Sequence, residues 1–417
     1  MQSLTPTSKK LSDTLRLVIV STYAKVEYNI VETSSGLVRG RLDQYKSTKY
    51  YSYKGIPYAE SPTGSLRFQP PVPKQPWTGV YNATQYGPVC PQSVWRYKRE
   101  QMSEDCLVLN IFVPVTNNSD KLLPVVVNIH GGGFRTLSGD SQYIYGPELL
   151  LQKLVIFISV NFRLGPHGFL SMNSETATGN AGLKDVILSL KWICKNIDKF
   201  NGDKNKITLM GHSSGASLIH YLMLTKKTTN LFQQVILISG SALNQRVLSR
   251  YPTEIALQLA HELDLWTRIH KLRRESRELY FYEFEFDGAL NWAKLMYDIQ
   301  KPGVSHADEL GYLFLTNITK NIIDSIDGRT RKILNTMLEF ITNFVKYGNP
   351  TPPHTNSNTT WPEYGMDQNY LVINDELKVM QRNASERYKR MCFWDQVYEE
   401  YYKYVRDGGM LQRKIAP

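Results

Sequence analysis

Ile207-Thr208-Leu209-Met210-Gly211-His212-Ser213-Ser214-Gly215-Ala216-Ser217-Leu218-Ile219-His220-Tyr221-Leu222 passes from an apolar, β-rich segment into a helix-forming one across a G-x-S-x-G turn. A serine at the centre of a strand, sharp turn and helix is pushed out of the backbone, where its hydroxyl can act as a nucleophile. The turn strains the serine, and glycines two places to either side keep neighbouring atoms from colliding there. The pattern is short, and about 0.1 copies are expected by chance in a chain this long.

A second pattern is far less accidental. His130-Gly131-Gly132-Gly133-Phe134 follows the apolar run Val125-Val126-Val127-Asn128-Ile129. About 0.002 such H-G-G-G runs are expected by chance. Consecutive glycines bare the backbone, so that N–H groups can point into a cavity and stabilise the oxyanion of a tetrahedral ester intermediate. Gly132, Gly133 and the N–H of Ser214 are the candidate donors. A glycine-rich turn without chemistry is the bland alternative, and beside Ser213 it ranks below the functional one.

The 417 residues are 42% hydrophobic and 21% charged, enough for a large core in one α/β domain. The net charge of +11 is spread along the chain without an aromatic-interleaved basic motif, so no nucleic-acid partner is expected. Its densest patch is Arg268, Lys271, Arg273, Arg274 and Arg277. No run approaches a membrane span, no Cys/His spacing suggests a metal site, and no cofactor is called for. Strands are expected at Val125 to Ile129, Leu154 to Asn161, Ile207 to Met210, Gln234 to Ser239 and Leu279 to Phe286, mostly in the continuous apolar form of strands covered on both faces. One helix is marked by Leu183, Val186, Leu190, Ile193 and Ile197. Another is marked by Ile333, Met337, Phe340, Ile341 and Phe344, with Gly348 and Pro350 as its stop. The alternation predicts a doubly wound, mostly parallel α/β sheet.

Further stretches carry a resemblance: Tyr53-Lys54-Gly55-Ile56-Pro57-Tyr58-Ala59 with Leu66-Arg67-Phe68, Ser103-Glu104-Asp105-Cys106-Leu107-Val108-Leu109-Asn110, Asn161-Phe162-Arg163-Leu164-Gly165-Pro166, Gly179-Asn180-Ala181-Gly182-Leu183-Lys184-Asp185, Gly303-Val304-Ser305-His306-Ala307-Asp308-Glu309-Leu310 and Asn343-Phe344-Val345-Lys346-Tyr347-Gly348-Asn349-Pro350. With the serine and glycine motifs, they make the chain resemble the type-B, cholinesterase-like carboxylesterases of the α/β-hydrolase fold, arthropod esterases in particular, from about Val31 to Val405. The resemblance implies His306 as the general base for Ser213. It also implies a disulfide between Cys90 and Cys106, with Cys194 and Cys392 free and buried. That bridge points to an oxidising compartment. Sequons at Asn82, Asn117, Asn317, Asn358 and Asn383 accord with secretion. The N-terminus fits less well, because Asp13 and Arg16 interrupt the approach to the short apolar run Leu17 to Val20. The implied domains are residues 1–25 as an N-terminal extension or degenerate signal, 26–407 as a carboxylesterase type-B domain, and 408–417 as a tail.

One part of the family pattern has no counterpart here. The family places its acid on a strand between serine and histidine, yet only 93 residues separate Ser213 from His306, under half the family interval. Matching text stops at Asp264-Leu265-Trp266 and resumes at Leu279, which places an internal deletion near 267–278. Losing the acid-bearing strand either leaves two open edges or lets the flanking strands pair directly. Glu283, Glu285, Asp287, Asp308 and Glu309 are the nearest substitutes, none of them a match. His212 stands where the family often has a glutamate, and Val186 where a glutamine is frequent. Trp95 is not assigned to choline recognition. Two functions therefore stay open: hydrolysis of uncharged carboxylic esters through a seryl acyl-enzyme, impaired by the missing acid, or a non-catalytic cholinesterase-like binding, sequestration or adhesion role.

Overall fold

A computed structural model describes residues 27–116, 121–140, 144–174, 177–243, 280–353, 359–363 and 369–381. The expectations for 1–25, the 267–278 deletion with its basic patch, the 408–417 tail, Cys392, Asn117, Asn358 and Asn383 lie outside the described residues.

The chain opens with strands β1 (Tyr28–Thr33), β2 (Gly36–Tyr45), β3 (Thr48–Pro57), β4 (Val80–Asn82), β5 (Val108–Pro114), β6 (Leu123–Ile129) and β7 (Ile156–Val160). Helices α1 (Glu148–Leu151) and α2 (Gly165–Phe169) flank β7, and a hairpin of β8 (Ser171–Ser174) and β9 (Ala177–Thr178) follows. Then come α3 (Ala181–Asn196), β10 (Gly202–His212), α4 (Ser214–Met223) and β11 (Gln234–Ile238). The remaining elements are β12 (Tyr282–Phe284), α5 (Trp292–Tyr297), α6 (Gly328–Tyr347), β13 (Asn369–Ile373) and β14 (Lys378–Gln381).

The main sheet runs β1-β2-β3-β5-β7-β6-β10-β11, with β4 beside β2. It is mixed. Pairing is antiparallel from β1 through β7 and parallel from β7 through β6 and β10 to β11. The parallel half carries the long apolar runs because it is covered on both sides. Val125, Val127 and Ile129 of β6 face one core, which also takes Val186, Leu190 and Ile193 of α3. Val126, Phe157 and Met210 face the other, which takes Ile333, Met337, Phe340 and Ile341 of α6. The period-two alternation of a strand thus feeds two layers of helices. Helix α6 starts where the Asp327 carboxylate accepts the Thr330 N–H at 2.9 Å, and it stops at Gly348, whose φ of 73° supplies the left-handed C-cap.

Two expectations change. The strand expected over Leu279 to Phe286 shortens to β12 and leaves the main sheet: it pairs in parallel with β13, which in turn pairs antiparallel with β14. Direct pairing of the flanking strands does not occur: among the described residues β11 bonds only to β10, and β12 only to β13. Cys194 is free but only half-buried on α3, and burial pushes its thiol up to about 11.

A buried ion pair joins two of the sequence motifs. Asp185 of α3 accepts the backbone N–H and Nε of Arg163 at one oxygen (3.0 and 2.9 Å) and Nη2 at the other (2.6 Å). Both side chains are almost wholly enclosed. Removing one partner strands the other charge in the interior, so Asp185→Ala is expected to lower the unfolding free energy by about 3–5 kcal/mol in urea titrations. The Cys90–Cys106 disulfide is formed, closing a loop with a sequence separation of 16. Chain-entropy reasoning gives that closure about 3 kcal/mol, and Cys90→Ser/Cys106→Ser is expected to shift the urea midpoint accordingly.

Candidate active site

Strand β10 ends at His212, and Ser213 follows at φ 54°, ψ −122° as the N-cap of α4. That backbone lies outside the common regions and costs about 1–3 kcal/mol, so its surroundings must enforce it. They do so by close approach. A Cβ on Gly215 would stand 2.1 Å from the Ile129 carbonyl oxygen, and one on Gly240 would stand 2.0 Å from that of Ser213. The Ser213 N–H also donates to the Ile238 carbonyl at 2.8 Å. Gly240, just beyond β11, was not among the residues singled out from sequence. Its signal is the small-residue run Ser239-Gly240-Ser241 after an apolar strand.

The glycine loop lies directly against this turn. A Cβ on Gly131 would meet the His212 carbonyl oxygen at 2.8 Å, His212 Nδ1 at 3.1 Å and Ser213 Cβ at 3.3 Å. Gly131 N–H is spent on the Tyr145 hydroxyl oxygen at 3.0 Å. Gly132 (φ 99°) and Gly133 (φ 63°) adopt conformations that favour glycine, and among the described residues their N–H groups donate to no protein acceptor. Ser214, the first residue of α4, has no carbonyl four places earlier within the helix to bond. The Phe134 N–H donates to Ser214 Oγ at 3.2 Å, tethering loop to turn. Outside this, the disulfide loop is stitched on: Gln92 exchanges two hydrogen bonds with Leu137 (2.8 and 2.9 Å), and Tyr97 Oη pairs with Ser138 Oγ at 2.8 Å.

His306 is exposed, in the turn before the short 3₁₀ helix Asp308–Tyr312. Its ring centroid lies 4.8 Å from that of His212. No hydrogen bond among the described residues joins His306 to Ser213 or to a carboxylate. Asp308 accepts the N–H groups of Ser305 (2.6 Å) and Lys294 (3.0 Å), and Asp287 accepts Lys294 Nζ (2.7 Å) and the Gly303 N–H (3.0 Å). Glu309 accepts the Ser239 hydroxyl at 2.8 Å, and burial raises its pKa. Glu283 is half-buried on β12, and Glu285 beyond it is exposed. The sequon residue Asn82 is exposed, while Asn317 is half-buried with Thr319 enclosed. Among the described residues, no group of three or more His, Cys, Asp or Glu is placed to hold a metal, and no helix is long and apolar enough to cross a membrane.

This fold and this meeting of Ser213 with a glycine loop define an α/β hydrolase. The profile of the carboxylesterase family matches residues 27–268 and 262–394, and the chain belongs to that family. Its two matched stretches meet where the sequence places the deletion. Venom carboxylesterase-6 of Apis mellifera is 41% identical over 55% of this chain and 42% of its own length. Juvenile hormone esterase of Tribolium castaneum is 43% identical over 52% of this chain and 37% of its own. The chain thus spans about two fifths of the length of these curated relatives. The crystal structure of juvenile hormone esterase from Manduca sexta, with OTFP covalently attached, superposes with a TM-score of 0.72 at 25% identity, covering 89% of this chain and 100% of that one.

His212 is 7% exposed, and burial first, then the charge of His306, pulls its pKa down to about 3. A histidine kept neutral by the fold and charged on unfolding stabilises the protein above its unfolded pKa of about 6.5 and loses that contribution as pH falls towards the folded value. Between pH 6.5 and 4, the fall of unfolding free energy with decreasing pH is therefore expected to be shallower in His212→Phe than in the parent, measured by urea unfolding at each pH.

Proposed function

We propose that this chain is a carboxylic ester hydrolase working through a seryl acyl-enzyme, and that its turnover is limited by the lack of a carboxylate on the general base. The observation that carries this is the contact of Gly131 with Ser213, which puts an N–H-rich loop beside a strained nucleophile. In the reaction, Ser213 Oγ attacks the ester carbonyl as His306 takes its proton, and the tetrahedral oxyanion falls to the N–H groups of Gly132, Gly133 and Ser214. His306 then protonates the departing alcohol. Water repeats the sequence on the acyl-enzyme and releases the acid.

The substrates are small uncharged carboxylic esters, because the loop and turn carry no fixed partner for a charged group. The disulfide supports a secreted or secretory-pathway location, and the five sequons, Asn82, Asn117, Asn317, Asn358 and Asn383, are the candidate glycan acceptors. A second reading, a non-catalytic binding or sequestering protein, draws on one observation: Asp287, Asp308 and Glu309 are all engaged away from His306.

A fluorophosphonate probe is expected to label Ser213 slowly, identified by mass spectrometry of the modified peptide. Turnover of short aryl esters is expected to lie about 10⁴-fold below that of an intact relative, the loss that follows when a triad keeps its serine and histidine without the acid. Absence of labelling in folded protein would favour the binding role. Turnover matching an intact esterase and abolished by Ser213→Ala would show that another carboxylate serves His306, with Asp287 the first to replace.

A further inference from the structure

His306 is exposed and, among the described residues, is fixed by no hydrogen bond of its side chain, whereas the ring it lies against is enclosed. His212 ends β10, whose last five residues pair in register with β11, from Thr208↔Gln234 to His212↔Ile238. Gly131 packs over its backbone oxygen and Nδ1, and the side chain is enclosed, with Nε2 buried and, among the described residues, making no hydrogen bond. The imidazole of His306 sits on it at 4.8 Å between centroids and 32° between planes. That separation is within the range in which aromatic rings attract each other.

We propose that His212 is a positioning residue for His306, its buried ring acting as the seat that holds the exposed imidazole beside Ser213. The proposal rests on the reading of His306 as general base. In an ordinary triad, a carboxylate bonded to the far ring nitrogen sets the orientation of the base. Here the neighbouring carboxylates are committed elsewhere: Asp308 to the Ser305 and Lys294 N–H groups, Glu309 to Ser239. Among the described residues, the charge of Glu309 acts on His306 without a hydrogen bond, and ring-on-ring contact is the constraint on the plane of its ring. It fixes the plane of the imidazole but adds no counter-charge, so it orients the base without stabilising the imidazolium that forms in the transition state. Because His212 immediately precedes Ser213, the seat and the nucleophile move as one unit. The part played by His212 is that of an aromatic face, and phenylalanine should replace it.

The test compares His212→Ala and His212→Phe with the parent in two measurements. In NMR spectra of protein labelled at histidine, the ring protons of His306, assigned through His306→Gln, carry a ring-current shift. That shift is expected to collapse in His212→Ala and to persist in His212→Phe. In ester hydrolysis, His212→Ala is expected to lower kcat about tenfold at nearly unchanged KM, with His212→Phe restoring it to within about threefold. His306 resonances that stay in place in folded His212→Ala would overturn the proposal, as would His212→Phe losing as much kcat as alanine while remaining folded. If the parent hydrolyses nothing, the catalytic reading fails by itself, and the NMR comparison still decides whether His212 seats His306.

Discussion

The strained backbone of Ser213 is the constraint to which the rest of the site answers. Nothing in the serine itself favours φ 54° with ψ −122°; the conformation survives because backbone from β6 and from the segment after β11 closes on the turn where only glycine leaves room. That closeness requires β6, β10 and β11 to lie side by side in parallel register, which requires apolar side chains on both faces of each strand, and hence two helical layers. The doubly covered half of the sheet and the Ser213 turn are therefore consequences of one packing arrangement.

The glycine loop is held by a different means. Polar contacts fasten it at both ends: Tyr145 takes the Gly131 N–H, Ser214 takes that of Phe134, and the disulfide loop clasps Leu137 and Ser138 through Gln92 and Tyr97. Tyr145 also sets its ring edge-on to Phe314 at 5.3 Å, in the segment that follows the His306 turn. One tyrosine thus touches both the glycine loop and the stretch that follows His306. Its phenol, pushed up to about 12 by burial, remains a neutral hydroxyl at any working pH.

Much of this was legible in the sequence, for reasons that can be named. The Val125 to Ile129 run and the Ile207 to Met210 run announce strands covered on both faces, and they are β6 and β10. Gly348 and Pro350 mark the end of α6 because caps act locally, whereas its start at Asp327 was not read from the sequence. Ser213 and the three glycines stand out because a strained turn and a bared backbone tolerate few residue types. What sequence could not supply were contacts between distant segments: the seating of Gly240 against Ser213, the hydrogen bonds of Gln92, Tyr97 and Tyr145, and the ring of His306 on His212. Each joins residues whose types are ordinary and whose meeting is decided only by how the chain returns on itself. The shortening of β12 has the same origin, since an apolar aromatic stretch fits a strand of either sheet and only the available neighbour, β13, determines which.

The break between the two sheets bears on how the protein behaves in company. Among the described residues, β11 ends the larger sheet with no strand partner beyond β10, in a sequence, Gln234 to Ile238, that carries no charge. Native sheets usually blunt such a margin with lysine, proline or a bulge. Here brevity is the main protection, and β12, at three residues, is shorter still. Crowding is therefore a hazard distinct from heat or acid, because a margin of this kind recruits like strands in proportion to how often molecules meet.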